Sequence, residues 1–254
     1  VDRMHSRLAA ILQQPPNGLS ILQNVPLARY TRFEVGGPAR ILADASTESA
    51  LVEVTRAIRD SGEPHAVIGG GTNLVASDEG FPGVVLRYTN AGLEIEGSSV
   101  RVAAGTRLQD LVDSAIAHGL RGVETMTGIP GWVGGAIYGN AGAYGHSLHE
   151  RVESVRFFDG TRVCEITGAA CEFHYRESVF KRRKDWIVLS VTLRLDPAGA
   201  EELGATAAGI LKIRNEKYPP SLRCAGSIFK NLLWDQLSET VRSCVPERVV
   251  REGK

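Results

Sequence analysis

Two glycine-rich stretches carry the residues whose types and spacing bear on chemistry. "IGGGTNL", Ile68 to Leu74, sets three consecutive glycines before Thr and Asn, directly after an apolar run. Without Cβ atoms in the way, such a loop can aim several backbone N–H groups into one concavity, and a phosphate is the natural guest. A tight turn is the default reading of a lone glycine pair, but three glycines in a row after a buried strand point to a ligand. "GIPGWVGGAIYGNAGAYG", Gly128 to Gly145, holds seven glycines in eighteen residues. Pro130, Asn140 and the absence of a period of three exclude a collagen-like or membrane small-residue repeat, leaving a loop that covers a ligand. A Walker loop needs Lys-Ser/Thr where Thr72-Asn73 stand, and a dinucleotide fingerprint needs glycine at Leu74, so both are rejected. Together the loops suggest a long ligand with a pyrophosphate, passed by backbone at contact distance. The contacts read from the first loop are Gly69, Gly70, Gly71, Thr72, Asn73 and Leu74. From the second they are Gly128, Ile129, Pro130, Gly134, Gly135, Ala136, Asn140, Gly142 and Ala143.

The elements that must position these loops follow from periodicity. A short amphipathic lead (Leu8, Ile11, Leu12) breaks at Pro15-Pro16. Ser46 to Asp60 repeats Ala50, Leu51, Val54, Ala57 and Ile58 at helical spacing and stops at Ser61-Gly62. "HAVIG" and "GVVLRY" read as strands around the triple glycine. Thr106 and Gln109 suggest a capping box for a helix ending at Gly119. Asp159-Gly160 turns a hairpin, the alternation from Ile187 to Leu195 marks a strand, and Ala200 to Lys217 reads as a helix. A second helix is expected over Leu232 to Cys244. The mixed order implies an α+β protein.

The 254 residues are 43% hydrophobic, and 29 Lys+Arg balance 29 Asp+Glu, so no basic excess suggests nucleic acid or a membrane surface. A small-molecule partner is the expectation. Cys164, Cys171, Cys224 and Cys244 form no CxxC pair, which reads as reduced thiols in the cytoplasm, with Cys224 a small buried filler. Neither a bilayer-spanning run nor a signal-peptide start is evident. His146 and His149 lack a third ligand at a metal spacing and read as a loop pair, so no metal is expected.

"TRFEVGGPA" (Thr31 to Ala39), the two glycine stretches, "YRESVFK" (Tyr175 to Lys181) and "AGSIFKN" (Ala225 to Asn231) occur in an order that resembles the UDP-N-acetylenolpyruvoylglucosamine reductases. The resemblance implies an FAD-binding PCMH-type region of two α+β subdomains over 25–196, with a boundary near 88. It implies a lead over 1–24 before that region and a substrate-binding domain over 200–254, incomplete against the family pattern. It also implies bound FAD, NADPH as co-substrate, and reduction of an enolpyruvyl ether on a UDP-sugar by hydride from flavin. Negative charge then builds beside the substrate carboxylate and needs stabilisation and a proton.

Arg176 resembles the family arginine that stabilises this charge, a role suited to a planar guanidinium. Ser227 resembles the family proton donor, effective only where water is excluded. Lys217 resembles the lysine of the family's R-x-x-K-x-P stretch near the substrate, and Tyr175 and Lys230 are expected to contact substrate too. The family glutamate has no counterpart here, since Glu239, Glu247 and Glu252 sit outside matching motifs. FAD binding is therefore expected to survive with turnover impaired. The short gap between Tyr175 and Trp186 resembles the subclass without a substrate-covering insertion. An FAD-linked oxidase of the same fold, a flavin- or nucleotide-binding module without turnover, and a purely structural domain are the alternatives.

Overall fold

The computed structural model describes residues 2–219, 221–227, 229–230, 234 and 237–246. Helix α1 (Asp2–Gln13) leads into strand β1 (Leu19–Pro26), which crosses the expected boundary at 24/25 and is part of the first sheet. β2 (Pro38–Ala45), helix α2 (Glu48–Ser61), β3 (His65–Val67) and β4 (Phe81–Tyr88) complete that layer. The strand order is β1-β2-β4-β3, with β2 and β3 both parallel to β4 and β1 antiparallel at the edge.

Helix α2 starts where Thr47 Oγ1 accepts the Ala50 N–H at 3.2 Å and stops at Gly62, whose φ of 71° is a left-handed cap that glycine adopts without strain. Its buried stripe is the one the spacing gives: Ala50, Leu51, Val54, Ala57 and Ile58. Leu51 and Ile58 are fully buried, and each side chain of that size contributes about 1.5–3 kcal/mol by leaving water.

The second layer holds β5 (Leu93–Glu96), β6 (Ser99–Ala103), helix α3 (Leu108–Ala117), β7 (Leu120–Arg121) and helix α4 (Val133–Tyr138). The two-residue strands β8 (Gly142–Ala143) and β9 (His146–Ser147) follow. Next come β10 (Val152–Phe158), β11 (Val163–Thr167), helix α5 (Val179–Arg182), β12 (Ile187–Arg194) and β13 (Asp196–Pro197). Its five-stranded sheet runs β11-β10-β12-β6-β5, all antiparallel. The hairpin turns at Asp159, whose Oδ1 accepts the Thr161 and Arg162 N–H groups. One core joins the layers, from Leu51 and Leu86 to Phe157, Phe180 and Leu193.

The expected capping box does not form. Arg107 takes the N-cap position of α3 without a side-chain cap. Thr106 Oγ1 instead donates to Gly92 O at 3.1 Å, and Gln109 Oε1 accepts the Gly128 N–H at 2.7 Å. Gly119 does follow the helix, at φ 64°.

Helix α6 (Ala200–Lys217) has the expected bounds and buries Leu203 and Ala207. It is fastened to the second layer: β13 pairs with β7, and the Ala198 N–H donates to Gly119 O. Of the helix expected over 232–244, residues 232, 233, 235 and 236 lie outside the described set. The described part, α7 (Glu239–Ser243), begins at the Ser238 cap. Cys224 is half-buried rather than a buried filler.

Candidate active site

The triple-glycine loop leaves β3 at the carboxyl end of the parallel strands, where open α/β sheets form their ligand crevices. Its shape is fixed by close backbone passage. At Gly71, φ is 63° and a Cβ would stand 1.8 Å from Tyr30 O, so only glycine fits. Among the described residues, none of the N–H groups from Gly69 to Leu74 donates to a protein acceptor. A run of unpaired amides in one loop is costly unless water or an anion completes it.

The second loop meets the first. Thr72 Oγ1 donates to Pro130 O at 3.2 Å, and a Cβ at Gly70 would lie 3.2 Å from the Trp132 ring. Gly128 packs under α6, where a Cβ would reach Arg214 and Leu211. Ile129 N–H closes a turn on Met126 O. Gly134 and Ala136 are anchored through Ala104 O and Trp132 O. At Gly135, in α4, the N–H has no acceptor among the described residues, and a Cβ would meet no protein atom within 4 Å. Two glycine loops in contact, with unpaired amides and vacant space over Gly135, fit the diphosphate and polar chain of a flavin dinucleotide. Gly69 to Leu74, Gly135, and Gly131, whose N–H likewise has no acceptor among the described residues, would hold it.

Asn140 has its side chain buried in protein contacts: Nδ2 donates to His174 O at 2.9 Å, and Oδ1 accepts the His149 N–H at 3.3 Å. It fastens the second loop to the next site element instead of presenting its amide to a ligand. Gly142 and Ala143 form β8, paired with β9.

The turn His174 to Glu177 carries the candidate catalytic arginine. His174 and Glu177 exchange backbone hydrogen bonds of 3.1 and 3.0 Å, leaving Tyr175 and Arg176 at the tip. Arg176 takes φ 58°, a conformation that ordinarily selects Gly or Asn at this place in a turn. Strained backbone of this kind persists where its surroundings over-determine it. Here Lys181 Nζ, from α5, donates to Arg176 O at 2.9 Å, and Ser178 Oγ donates to Tyr138 O at 2.7 Å. The Arg176 guanidinium donates to Asn140 O (3.3 Å) and Gly142 O (3.0 Å), and so lies against the second loop. Two of its five N–H donors are used, leaving others for a carboxylate. The exposed Tyr175 ring sits 5.3 Å beneath it.

The C-terminal segment approaches from the other side. Gly226, at φ 76°, lies against the first loop, where a Cβ would stand 3.2 Å from Asn73 Oδ1. Ser227 follows it and is exposed. Lys230 forms an ion pair with Glu177, which Lys181 also reaches at 3.2 Å. Hydrogen bonds from Lys230 and Lys181 hold the Glu177 carboxyl below the usual carboxylate range. Lys217 stands apart: exposed in the last turn of α6, its ammonium lies 5.4 Å from the Tyr218 ring and makes no described bond to either loop.

Sequence reading passed over Ser178, Glu177 and Lys181. The phrase "YRESVFK" holds their signal, a Ser N-cap and Glu/Lys four apart. It passed over Tyr30, Asp44, Arg87 and Trp132 as well, which meet only through the fold. His146 pairs with Glu150 at 3.0 Å. No cluster of metal-ligating side chains occurs among the described residues.

A family model described as an FAD binding domain matches residues 39–162. The UDP-N-acetylenolpyruvoylglucosamine reductase of Solibacter usitatus is 54% identical over 248 residues, 98% of this chain and 78% of that protein. The Bacillus subtilis enzyme of the same name is 37% identical over 84% of this chain and 71% of its own length. The crystal structure of UDP-N-acetylenolpyruvylglucosamine reductase (MurB) from Thermus caldophilus superposes with a TM-score of 0.71 at 33% identity, covering 84% of this chain and 75% of that one. Berberine bridge enzyme from Eschscholzia californica, at 15% identity and a TM-score of 0.56, shares the fold alone. The chain therefore belongs to the UDP-N-acetylenolpyruvoylglucosamine reductase (MurB) family, flavin-dependent oxidoreductases of cell-wall precursor synthesis.

Proposed function

We propose that this chain carries out the family reduction, in which NADPH reduces the enolpyruvyl ether of UDP-N-acetylglucosamine through FAD, with Arg176 and Ser227 as its catalytic side chains. The observation that carries the assignment is the tie of the Arg176 guanidinium to the Asn140 and Gly142 carbonyls, which sets a fixed cation beside the second glycine loop. Bound FAD supplies the hydride. Reduction of the enol ether puts negative charge on the carbon next to the substrate carboxylate, and the enolate form spreads it onto the carboxylate oxygens. The free N–H donors of Arg176 are placed to bind those oxygens, more strongly as charge grows.

Ser227 is the proposed proton donor to that carbon, delivered by the Gly226 contact with Asn73 and the Lys230 tether to Glu177. A serine hydroxyl is a weak acid, so its use depends on a basic carbon within hydrogen-bond reach and on exclusion of water. Tyr175, Lys230 and Lys217 are proposed substrate contacts, the ammonium groups suiting the diphosphate or the carboxylate. The FAD region is proposed to begin with β1 and run to 196, and the substrate-binding part to span 200–254. A cytoplasmic location is part of the same reading, supported by free thiols at all four cysteines. No described helix is long and apolar enough to cross a membrane.

The test is anaerobic absorbance. NADPH should bleach the visible band of the FAD-loaded chain, and the enolpyruvyl UDP-sugar should restore it. In Ser227→Ala and Arg176→Lys the bleaching should persist while the recovery slows at least tenfold. Recovery at the wild-type rate in both variants would remove these two residues from the chemistry.

A further inference from the structure

Arg87 lies one residue from the end of β4, with Asp44 beside it on β2. Because Val67 pairs with Leu86, the next position places Ile68 beside Arg87 and starts the triple-glycine loop there. Its guanidinium carbon is 4.8 Å from the Tyr30 ring centroid and 4.9 Å from that of Trp132. Both residues touch the loop: Tyr30 O abuts Gly71, and the Trp132 ring abuts Gly70. The Arg87 side chain is only 15% exposed.

Among the described residues the Arg87 Nε has no hydrogen-bond acceptor, and its ion-pair partner is Asp44, with Nε 3.3 Å from an Oδ1 that is likewise without a hydrogen bond. Burial pushes the Asp44 carboxyl above the usual carboxylate range while Arg87 pulls it back. Buried guanidinium donors left unsatisfied are among the more costly features a fold can hold. Two aromatic faces stabilise the charge but offer Nε no acceptor. Immediately alongside, the amides of Gly69 to Leu74 also lack acceptors among the described residues. One anion placed between them would complete both sets.

We infer that Arg87 is the fixed cation of the dinucleotide cradle, binding the diphosphate of FAD together with the Gly69–Leu74 amides while Tyr30 and Trp132 hold its guanidinium in place. The inference rests on the flavin reading above and adds a residue that none of the glycine motifs contains. A bidentate guanidinium suits a diphosphate better than an ammonium would.

The test compares FAD with riboflavin, which has the same ring and no phosphate, in titrations of apoprotein followed by flavin fluorescence. Arg87→Gln is expected to weaken FAD by about 10- to 100-fold and to leave riboflavin within twofold. The dependence of FAD affinity on NaCl concentration should flatten, a readout independent of riboflavin. Arg87→Lys, which keeps the charge if the Gln variant does not fold, should lose part of the FAD affinity with riboflavin unchanged. Unaltered FAD affinity and salt dependence, or equal losses for both flavins, would overturn the inference and leave Arg87 a structural clamp. Failure of the wild-type chain to bind FAD would strike the flavin reading itself.

Discussion

Replacing Gly135 by alanine separates what a glycine does for the fold from what it does for a ligand. Gly135 lies inside α4, its φ is not in the left-handed region, and a Cβ built on it meets no protein atom within 4 Å. For the apoprotein, alanine in a helix is favoured over glycine by roughly 0.5–1 kcal/mol. In a chain of this size that raises Tm by about 1–4 °C. For the holoprotein the sign reverses. A methyl group set into the space proposed for the dinucleotide would have to displace the ligand or the loop, and overpacking of this kind costs about 1–3 kcal/mol. That corresponds to a Kd for FAD weaker by roughly 5- to 150-fold. Apoprotein melting by circular dichroism and FAD titration by fluorescence quenching read the two effects apart. A stabilised apoprotein that binds FAD as tightly as wild type would refute the placement of the cofactor over α4.

Four further outcomes follow from the geometry. Gly71→Ala, with a Cβ 1.8 Å from Tyr30 O in a left-handed conformation, should lower apoprotein stability by more than about 2 kcal/mol in urea unfolding, unlike Gly135→Ala. Asn140→Ala removes the link to His174 O and His149 N, and should cost about 1–3 kcal/mol of stability while lowering kcat through the loosened Arg176 turn. Arg176→Lys should reduce kcat by about 100-fold or more with FAD affinity unchanged, measured by steady-state turnover and flavin titration. Burial pushes the Cys171 thiol up to about 12. Because the folded value exceeds the unfolded one, its contribution to stability is full below the ordinary thiol range and is lost as pH rises towards 12. At pH 8 a thiol reagent should label exposed Cys244 and spare Cys171, and labelling of Cys171 in the native protein would contradict this.

How far the sequence could be read varies with how local each decision was. The stripe of helix α2 and its Gly62 stop were legible because both are contained within a dozen or so residues. The hairpin at Asp159-Gly160 was legible for the same reason. The capping box at Thr106 failed because Gly92 O and the Gly128 N–H, brought near by folding, took the two side chains that would have formed it. Strands β1, β2, β5 and β6 escaped notice since polar residues or short length break the alternation that β12 keeps.

At the site, the glycine loops stood out because bare backbone has few other uses in such density. Arg176 and Ser227 came from family motifs rather than from their own spacing. The ties of the Arg176 guanidinium to Asn140 and Gly142, the Glu177 ion pair with Lys230, and the Arg87 stack join residues tens of positions apart. Charge and ring contacts at that separation leave no periodic trace in a sequence.

The claim on which the rest stands is that the unpaired amides of Gly69 to Leu74 hold the diphosphate of FAD. Amide hydrogen exchange, read residue by residue in apoprotein and FAD-loaded protein, addresses it directly. These amides, together with those of Gly131 and Gly135, should exchange quickly without cofactor and slow by at least tenfold with it, while the β10–β12 ladder changes little. Exchange in that loop left equally fast after FAD binds, with protection arising elsewhere, would contradict the account.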